Sequence, residues 1–423
     1  MHRSRFFVFY PWPQSQASAS EATTMLVREP NRWRFTSCFT SWAAAVVMAL
    51  PISTLMVTPH AMAIDAIEQP ASSTASTNGS DLANRYQALS DLYDKAHYQH
   101  ITQQVSADIA TQEAEALLWR AKALYAQGED AEAFDEWLTE VLAKHPNHAQ
   151  LNFYGALVKF RLAQAATFSA LGLAKDGLAL LKKAESLAPT DMTIKDALVG
   201  FYLGAPSIAG GDEDEAKRIA DVMAQQDVVM GTIAQIKVLL NQEKTAQAQQ
   251  LLQAALAAQP QHSSLLLQQA RMLQQTQTKD DAAQQRITAQ LFQLYQQVGS
   301  SASKPSEKYS ALYDVGRLAA TQYDTFTALA AQSQTAATAA PATPAPAEVL
   351  QQGKAALTDY IAFYQGGENS RLRWAKLRLA QIHVRLKDTA TAQQLLTALQ
   401  AEKINDKKLQ QELKTVAATL AAG

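Results

Sequence analysis

One of the 423 residues is a cysteine, Cys38. It lies in an N-terminal stretch that reads as a targeting segment. The body of the chain therefore has no thiol for a disulfide, a thiolate metal site or a cysteine nucleophile. Charge is scarce as well: 18% of residues are charged and the formal net charge is −2. Neutralising phosphates takes clustered Lys and Arg, so this balance predicts no nucleic-acid partner. Glycine (16) and proline (14) are few, and no long stretch alternates β-branched residues as strands do. Catalytic motifs are missing too: there is no G-x-S-x-G, P-loop, dinucleotide fingerprint or H-E-x-x-H. His97 and His100 share a helix face, and His145 and His148 bracket a turn, but neither pair has a third ligand at metal spacing. These absences predict no cofactor, no metal and no enzymatic activity.

What is present is helical periodicity. In Gly231 to Pro260, Ile233, Ile236, Leu239 and Leu240 recur at helical spacing. Ala248, Leu251, Leu252, Ala255 and Leu256 then do the same. Asn241 to Lys244 is a polar turn between the two stripes, which together predict a helical hairpin. Neither helix can bury its stripe alone, so the unit needs neighbours of its own kind. The pattern recurs. Ala114 to Pro146 carries Leu118, Ala121, Leu124 and Tyr125, the turn Gly128-Glu129-Asp130, and a second stripe of Ala133, Trp137 and Val141. Ala149 to Pro189 carries Phe153, Ala156, Leu157 and Phe160, then Leu178, Leu181 and Ala184, with Gly177 among them. Asp191 to Leu203 and Asp212 onward form another pair, joined by Gly204 to Gly211. Leu372 to Leu399 is the last clear unit, with Ala380 and His383 on its first helix and Ala392, Leu395, Leu396 and Leu399 on its second.

Small residues at the helix crossing and a closing proline, in a frame of about 34 residues, resemble the tetratricopeptide repeat (TPR). The residues that carry the resemblance are Ala121, Gly128, Ala133, Pro146, Ala156, Ala184, Pro189, Ile236, Ala248, Ala255, Pro260, Ala380 and Ala392. The loop GAPSIAGG is similar to one in a group of secreted bacterial members. The resemblance implies an all-α fold, a right-handed α-solenoid of roughly six or seven stacked TPR-like hairpins, with a concave surface lined by first helices.

The ends and breaks have their own readings. Arg28, Arg32 and Arg34, the apolar run Trp42 to Val57 and the A-x-A site at Ala61 and Ala63 predict a targeting segment over residues 1–63, in which Met25 is the true start and the signal peptide runs to Ala63. The run is short for a membrane span and Pro51 interrupts it. Export to the periplasm with cleavage is therefore expected, and a retained inner-membrane anchor is the alternative. Residues 64–80 read as a disordered polar linker and residues 81–332 as the helical array, opened by a capping hairpin at Asp81 to Ile109. Residues 333–347 read as an Ala/Thr/Pro-rich disordered insertion inside a hairpin. Residues 348–423 read as the delayed second helix, the last unit and an amphipathic capping helix.

Arg371, Arg373, Lys376 and Arg378 are the main basic cluster, read either as a solvated face or as a patch for an acidic protein or membrane headgroups. Trp119, Trp137 and Trp374 fall at core spacing, and His383 reads as a satisfied packing residue. Glycines before Asp212 could cradle a phosphate, but Asp212 is a natural N-cap and the acids after it would repel an anion. The function expected is a non-enzymatic scaffold or assembly factor that binds a protein or peptide partner. The alternative is a small-molecule binder. Membrane contact is expected only through an uncleaved signal.

Overall fold

Three turns of the chain close in the same way. His145, Ala188 and Gln259 each end a helix, and each is followed by one of the prolines Pro146, Pro189 and Pro260. The residue two positions after each proline then donates its backbone N–H to the carbonyl of that helix-ending residue: His148 to His145 (3.2 Å), Asp191 to Ala188 (3.0 Å) and His262 to Gln259 (3.2 Å). A proline past the C-cap cannot continue the helix, so the chain turns and starts the next one. This repeated turn builds the fold.

The computed structural model describes residues 75–422 except 129, 277 and 336–343. It is all-α and solenoid-like, with no strand among the described residues. The helices are α1 (Ala75–Asp94), α2 (Tyr98–Gln104), α3 (Ala114–Gln127), α4 (Ala131–Lys144), α5 (Ala149–Ala165), α6 (Ala170–Leu187), α7 (Met192–Gly204), α8 (Glu213–Gln226), α9 (Val228–Asn241), α10 (Thr245–Ala258), α11 (Ser263–Gln274), α12 (Asp281–Ser301), α13 (Pro305–Thr321), α14 (Tyr323–Thr335), α15 (Pro346–Phe363), α16 (Leu372–Arg385), α17 (Thr389–Ala401) and α18 (Lys407–Ala422). The described residues form two compact units. One is residues 128–227, and the other joins residues 75–127 to 228–422.

In the first unit, each of α4 to α8 packs on the next. First and second helices differ in how they bury. The first helix α5 is buried continuously from Leu151 to Val158, as an element packed on both flanks must be. The second helix α4 buries one stripe: Phe134, Leu138 and Val141. That stripe is one residue out of register with the sequence expectation at its start. Ala133 is exposed: its N–H donates to the N-cap carboxylate of Asp130 (2.9 Å), which places it in the first turn with its side chain outward. Gly177 stands where the resembled pattern has alanine because a Cβ there would lie 2.4 Å from the Phe160 ring.

The second unit contains the long run α9 to α18. Consecutive helices pack, and first helices also touch: α9 with α11, α13 with α16, and α16 with α18. The stretch before the expected insertion forms two helices, α13 and α14, broken at Gln322. Helix α13 pairs closely with α15, and α14 packs beside α12 and α15, burying Phe326 against Phe292 (5.2 Å between rings). Pro346 opens α15 at its first turn, where a missing N–H costs nothing. Most of the expected 333–347 insertion (336–343) lies outside the described residues. So do Met25, Cys38 and the signal site Ala61 and Ala63. The expected linker ends earlier than its composition suggests, since α1 begins at Ala75. Once a helix is nucleated, each added residue gains a hydrogen bond, so Ser and Thr next to it can join. At the other end, Ile404 stands in place of the closing proline and is buried under α18 with Leu409, Leu413 and Val416.

Candidate functional site

Buried polar residues are not spread evenly. Asn152 on α5, Lys195 and Asp196 on α7, Thr232 on α9, Gln268 on α11, Glu307 and Asp314 on α13, and Arg378 and His383 on α16 are all buried. Every one is on a first helix. Among the described residues, Ser90 and Thr288 are the buried polar side chains elsewhere. Within each unit, several of these residues bond to a neighbouring element. Glu307 accepts from Ser263 and from Ser264 (3.0 Å), tying α13 to α11. Lys195 donates to Glu185 (2.9 Å), and Asp191 accepts from Gln150.

A cluster of tyrosines and charges lies where α13, α15 and α16 pack on one another. Tyr313 packs on Tyr360 (5.4 Å) and Tyr360 on Tyr364 (4.8 Å). Tyr360 donates its hydroxyl to Asn369 Oδ1 (2.8 Å), which also accepts the Arg371 N–H (2.9 Å). The Arg371 guanidinium lies 5.3 Å from the Tyr313 ring centre. Arg317 donates to Asp314 Oδ1 (2.8 Å). Burial pushes the Tyr295 phenol well above the usual range, and Asp314 adds to this, while Arg317, Arg271 and Arg371 pull it back. Burial also raises Tyr313, against the pull of Arg371, Arg378 and Arg317. These charges therefore share one region. Comparison with family models and with curated proteins finds no match.

The basic cluster divides. Arg373 and Lys376 both donate to Glu402, at 2.7 and 2.8 Å. Burial alone would raise the Glu402 carboxyl, but these two cations hold it below its usual range. Arg378 is 8% exposed, bonded to Glu412 (2.5 Å) and Gln381, with its guanidinium 5.0 Å over Trp374. Arg371 turns toward the tyrosines. Of the two residues one heptad apart, Arg378 is buried and Arg371 is half-buried.

His383 is buried with Nδ1 2.9 Å from Asp388. His148 accepts the Leu151 N–H at the start of α5 (3.3 Å), and His145 is the C-cap of α4. His97 and His100 line a shallow open groove of about 390 Å³ with Asp91 and Lys95. Among the described residues, no three metal-ligating side chains gather. In the GAPSIAGG loop the amides of Gly210, Gly211 and Asp212 donate to Ser207, Pro206 and Tyr202. A phosphate would find them already bonded. The glycines are there for space: a Cβ on Gly211 would lie 1.7 Å from the Ala205 carbonyl oxygen. Asp212 caps α8 through the Glu215 N–H (3.1 Å), as its position predicts.

Ala121, Ala156, Ala184, Ile236, Ala248, Ala380 and Ala392 are buried. Ala255 is half-buried, and Gly128 has a positive φ of 74° at its turn. Trp119 is buried, whereas Trp137 is half-buried on Phe134 and Trp374 is half-buried, bonded to Asp406. Sequence reasoning missed Arg271, Arg317 and Tyr295. Their apolar neighbours marked helices, but nothing local showed that charges from separate helices meet. Among the described residues, no helix is long and apolar enough to cross a membrane.

Proposed function

We propose that this chain is a non-enzymatic scaffold or assembly factor of the bacterial cell envelope that holds a protein or peptide partner against its first helices. The supporting observation is the concentration of buried polar groups on those helices. A helix whose only task is packing gains nothing from burying such groups, because each one must find a partner or costs stability. Satisfied in this way, such groups fix the spacing and orientation of successive first helices within each unit, and regularly spaced helices can present several contacts to one extended partner. The resemblance to tetratricopeptide repeats favours the same mode, and the basic and apolar pattern before Ala63 supports the envelope location.

The test is in-cell crosslinking with the tagged full chain. A partner captured at stoichiometric yield should be lost when Gln235 and Lys237 on α9 are both changed to glutamate. It should be kept when the exposed Gln249 and Gln253 on α10 are changed in the same way. Equal capture by both variants would reject recognition by first helices.

A further inference from the structure

We propose that one edge of the unit formed by residues 128–227 docks on a neutral lipid bilayer, with Phe168 and Ile208 as the side chains that enter it. This goes beyond the scaffold reading and beyond the expectation that only an uncleaved signal meets a membrane. It uses a different unit from the variants on α9, so the two ideas fail separately.

The first argument is exposure. Among the described residues, the exposed large apolar side chains are Phe168, Leu187, Ile208 and Val228. Phe168 is 99% exposed, in the turn between α5 and α6, and Ile208 is 68% exposed, in the turn between α7 and α8. The backbone beside each is held. The Leu173 N–H donates to the Ser169 carbonyl (3.0 Å), and Ala170 is buried. Ala209 is fully buried, and the amides of Ala209, Gly210 and Gly211 bond back to Pro206 and Ser207. Each large side chain is therefore turned out from an anchored turn. Apolar residues exposed singly are ordinary, but a local group of them marks a contact surface.

The second argument is placement. Helices α5 and α6 pack as one hairpin, α7 and α8 as the next, and α6 packs on α7. The turn Ser207–Ala209 packs on α6. Ala209 shares a small apolar cluster with Ala163, in the last turn of α5, and Ala174, early in α6. Phe168 precedes Ala174 by less than two helical turns, about 10 Å of rise. Leu171 and Leu173 are half-buried against the same cluster and add apolar surface there. The two tips thus stand together at one end of the unit.

The third argument is the kind of partner. Ala166 to Ser169 and Gly204 to Gly211 carry no charge. The exposed charges nearest in sequence have both signs: Lys175 and Asp176 on α6, and Asp212 and Glu213 after the glycines. Such a mixture does not select an anionic surface. The tips protrude, so a folded partner would need two matching hollows, whereas a bilayer interface yields to both. Two side chains also cover far less than the roughly 800 Å² per partner that holds a second copy. Entry of apolar side chains among acyl chains is favoured by the area removed from water, and two of them give reversible attachment.

The experiment uses the full chain and vesicles of phosphatidylcholine with brominated acyl chains, which quench tryptophan on contact. Phe168→Trp is compared with the unmodified chain, whose own tryptophans set the background. Leu187→Trp is the control, since it lies at the far end of α6, about 30 Å away. The tryptophan at position 168 should be quenched and the one at 187 should not, with no dependence on salt. Adding Ile208→Ser to Phe168→Trp should raise the lipid needed for half-maximal quenching about tenfold. Ile208→Trp gives a second reading should Phe168→Trp fold poorly. Quenching at neither position would mean that this edge stays in water. Equal quenching at both would mean that the chain lies on the bilayer by another part, such as residues 42–57. A blue shift at position 168 that follows protein concentration without lipid would assign the edge to a second copy. Each of these three results would overturn the proposal.

Discussion

Asp94, at the end of α1, is a carboxylate placed against its own interest. Burial raises its pKa, Asp91 raises it further, and Lys122 offsets only part of this. A carboxyl whose pKa is raised by folding binds its proton more readily in the folded chain than in the unfolded one. Stability is then lost as pH rises through the raised value and regained as pH falls toward the ordinary carboxylate range. Asp94→Asn removes the charge and nearly keeps the shape. It should raise the melting temperature at neutral pH, and the advantage over the unmodified chain should vanish in acid. Paired melts across that window check it, and an advantage that persists unchanged in acid would assign the gain to some other cause. Glu402 has the opposite sign, since Lys376 and Arg373 hold it down. Its contribution is present above the ordinary glutamate range and is lost as pH falls through its lowered value.

At the scale of the element, the crossing of α13 and α15 rests on two glycines. A Cβ on Gly353 would lie 2.3 Å from the Ala319 Cβ and 3.7 Å from the Gly316 Cα, and one on Gly316 would lie 2.1 Å from Leu357. Helix propensity alone predicts that alanine at either position stabilises by about 1 kcal/mol. Overpacking predicts a loss of about 1–3 kcal/mol, and at these distances overpacking should win. Gly353→Ala should therefore lower stability. Gly172→Ala in α6, where nothing lies within 4 Å, should raise it by about 1 kcal/mol. Denaturant midpoints of the two variants separate the cases, and a stabilised Gly353→Ala would mean the helices do not cross this closely. The same glycines show what was legible in the chain. Pro146, Pro189 and Pro260 marked real helix ends because a proline acts through its own backbone. Ala248 and Ala392 marked real crossings because small residues recur there. Gly316 and Gly353 escaped notice because their reason lies in each other, across a stretch of chain with no regular spacing. Ala133 misled for a related reason: a stripe can be read from spacing, but its register is set by where the cap starts the helix.

At the scale of the molecule, the unit that joins residues 75–127 to 228–422 departs from an open array. In an open solenoid each repeat touches its neighbours in sequence. Here the turn after α1 meets the turn after α15. The Glu368 N–H donates to the Ala96 carbonyl (2.7 Å). Its carboxylate accepts the Gln99 N–H at 3.1 and 3.0 Å, across 269 positions of sequence. Gly367 is tight against the Lys95 carbonyl, where a Cβ would come within 2.2 Å. Ala96 is buried in the same apolar cluster as Phe292, Tyr360 and Ile382. No local pattern marks Glu368 for this role, so the closure could not be read from the sequence. Its energetic meaning follows from α2, which has 7 residues. A helix that short does not hold itself in water. Glu368 satisfies its first turn, and Arg120 donates to the carbonyls of Thr102 and Val105 at its end, both at 2.7 Å. Glu368→Ala removes the cap at a cost of about 1–2 kcal/mol, and Gly367→Ala forces the two turns apart. Both should speed hydrogen exchange at Gln99 and along α2, while α17 and α18, which pack in a separate cluster, keep their protection. Unchanged exchange in α2 would mean that α1 and α3 alone hold that helix and that the contact with Glu368 contributes little.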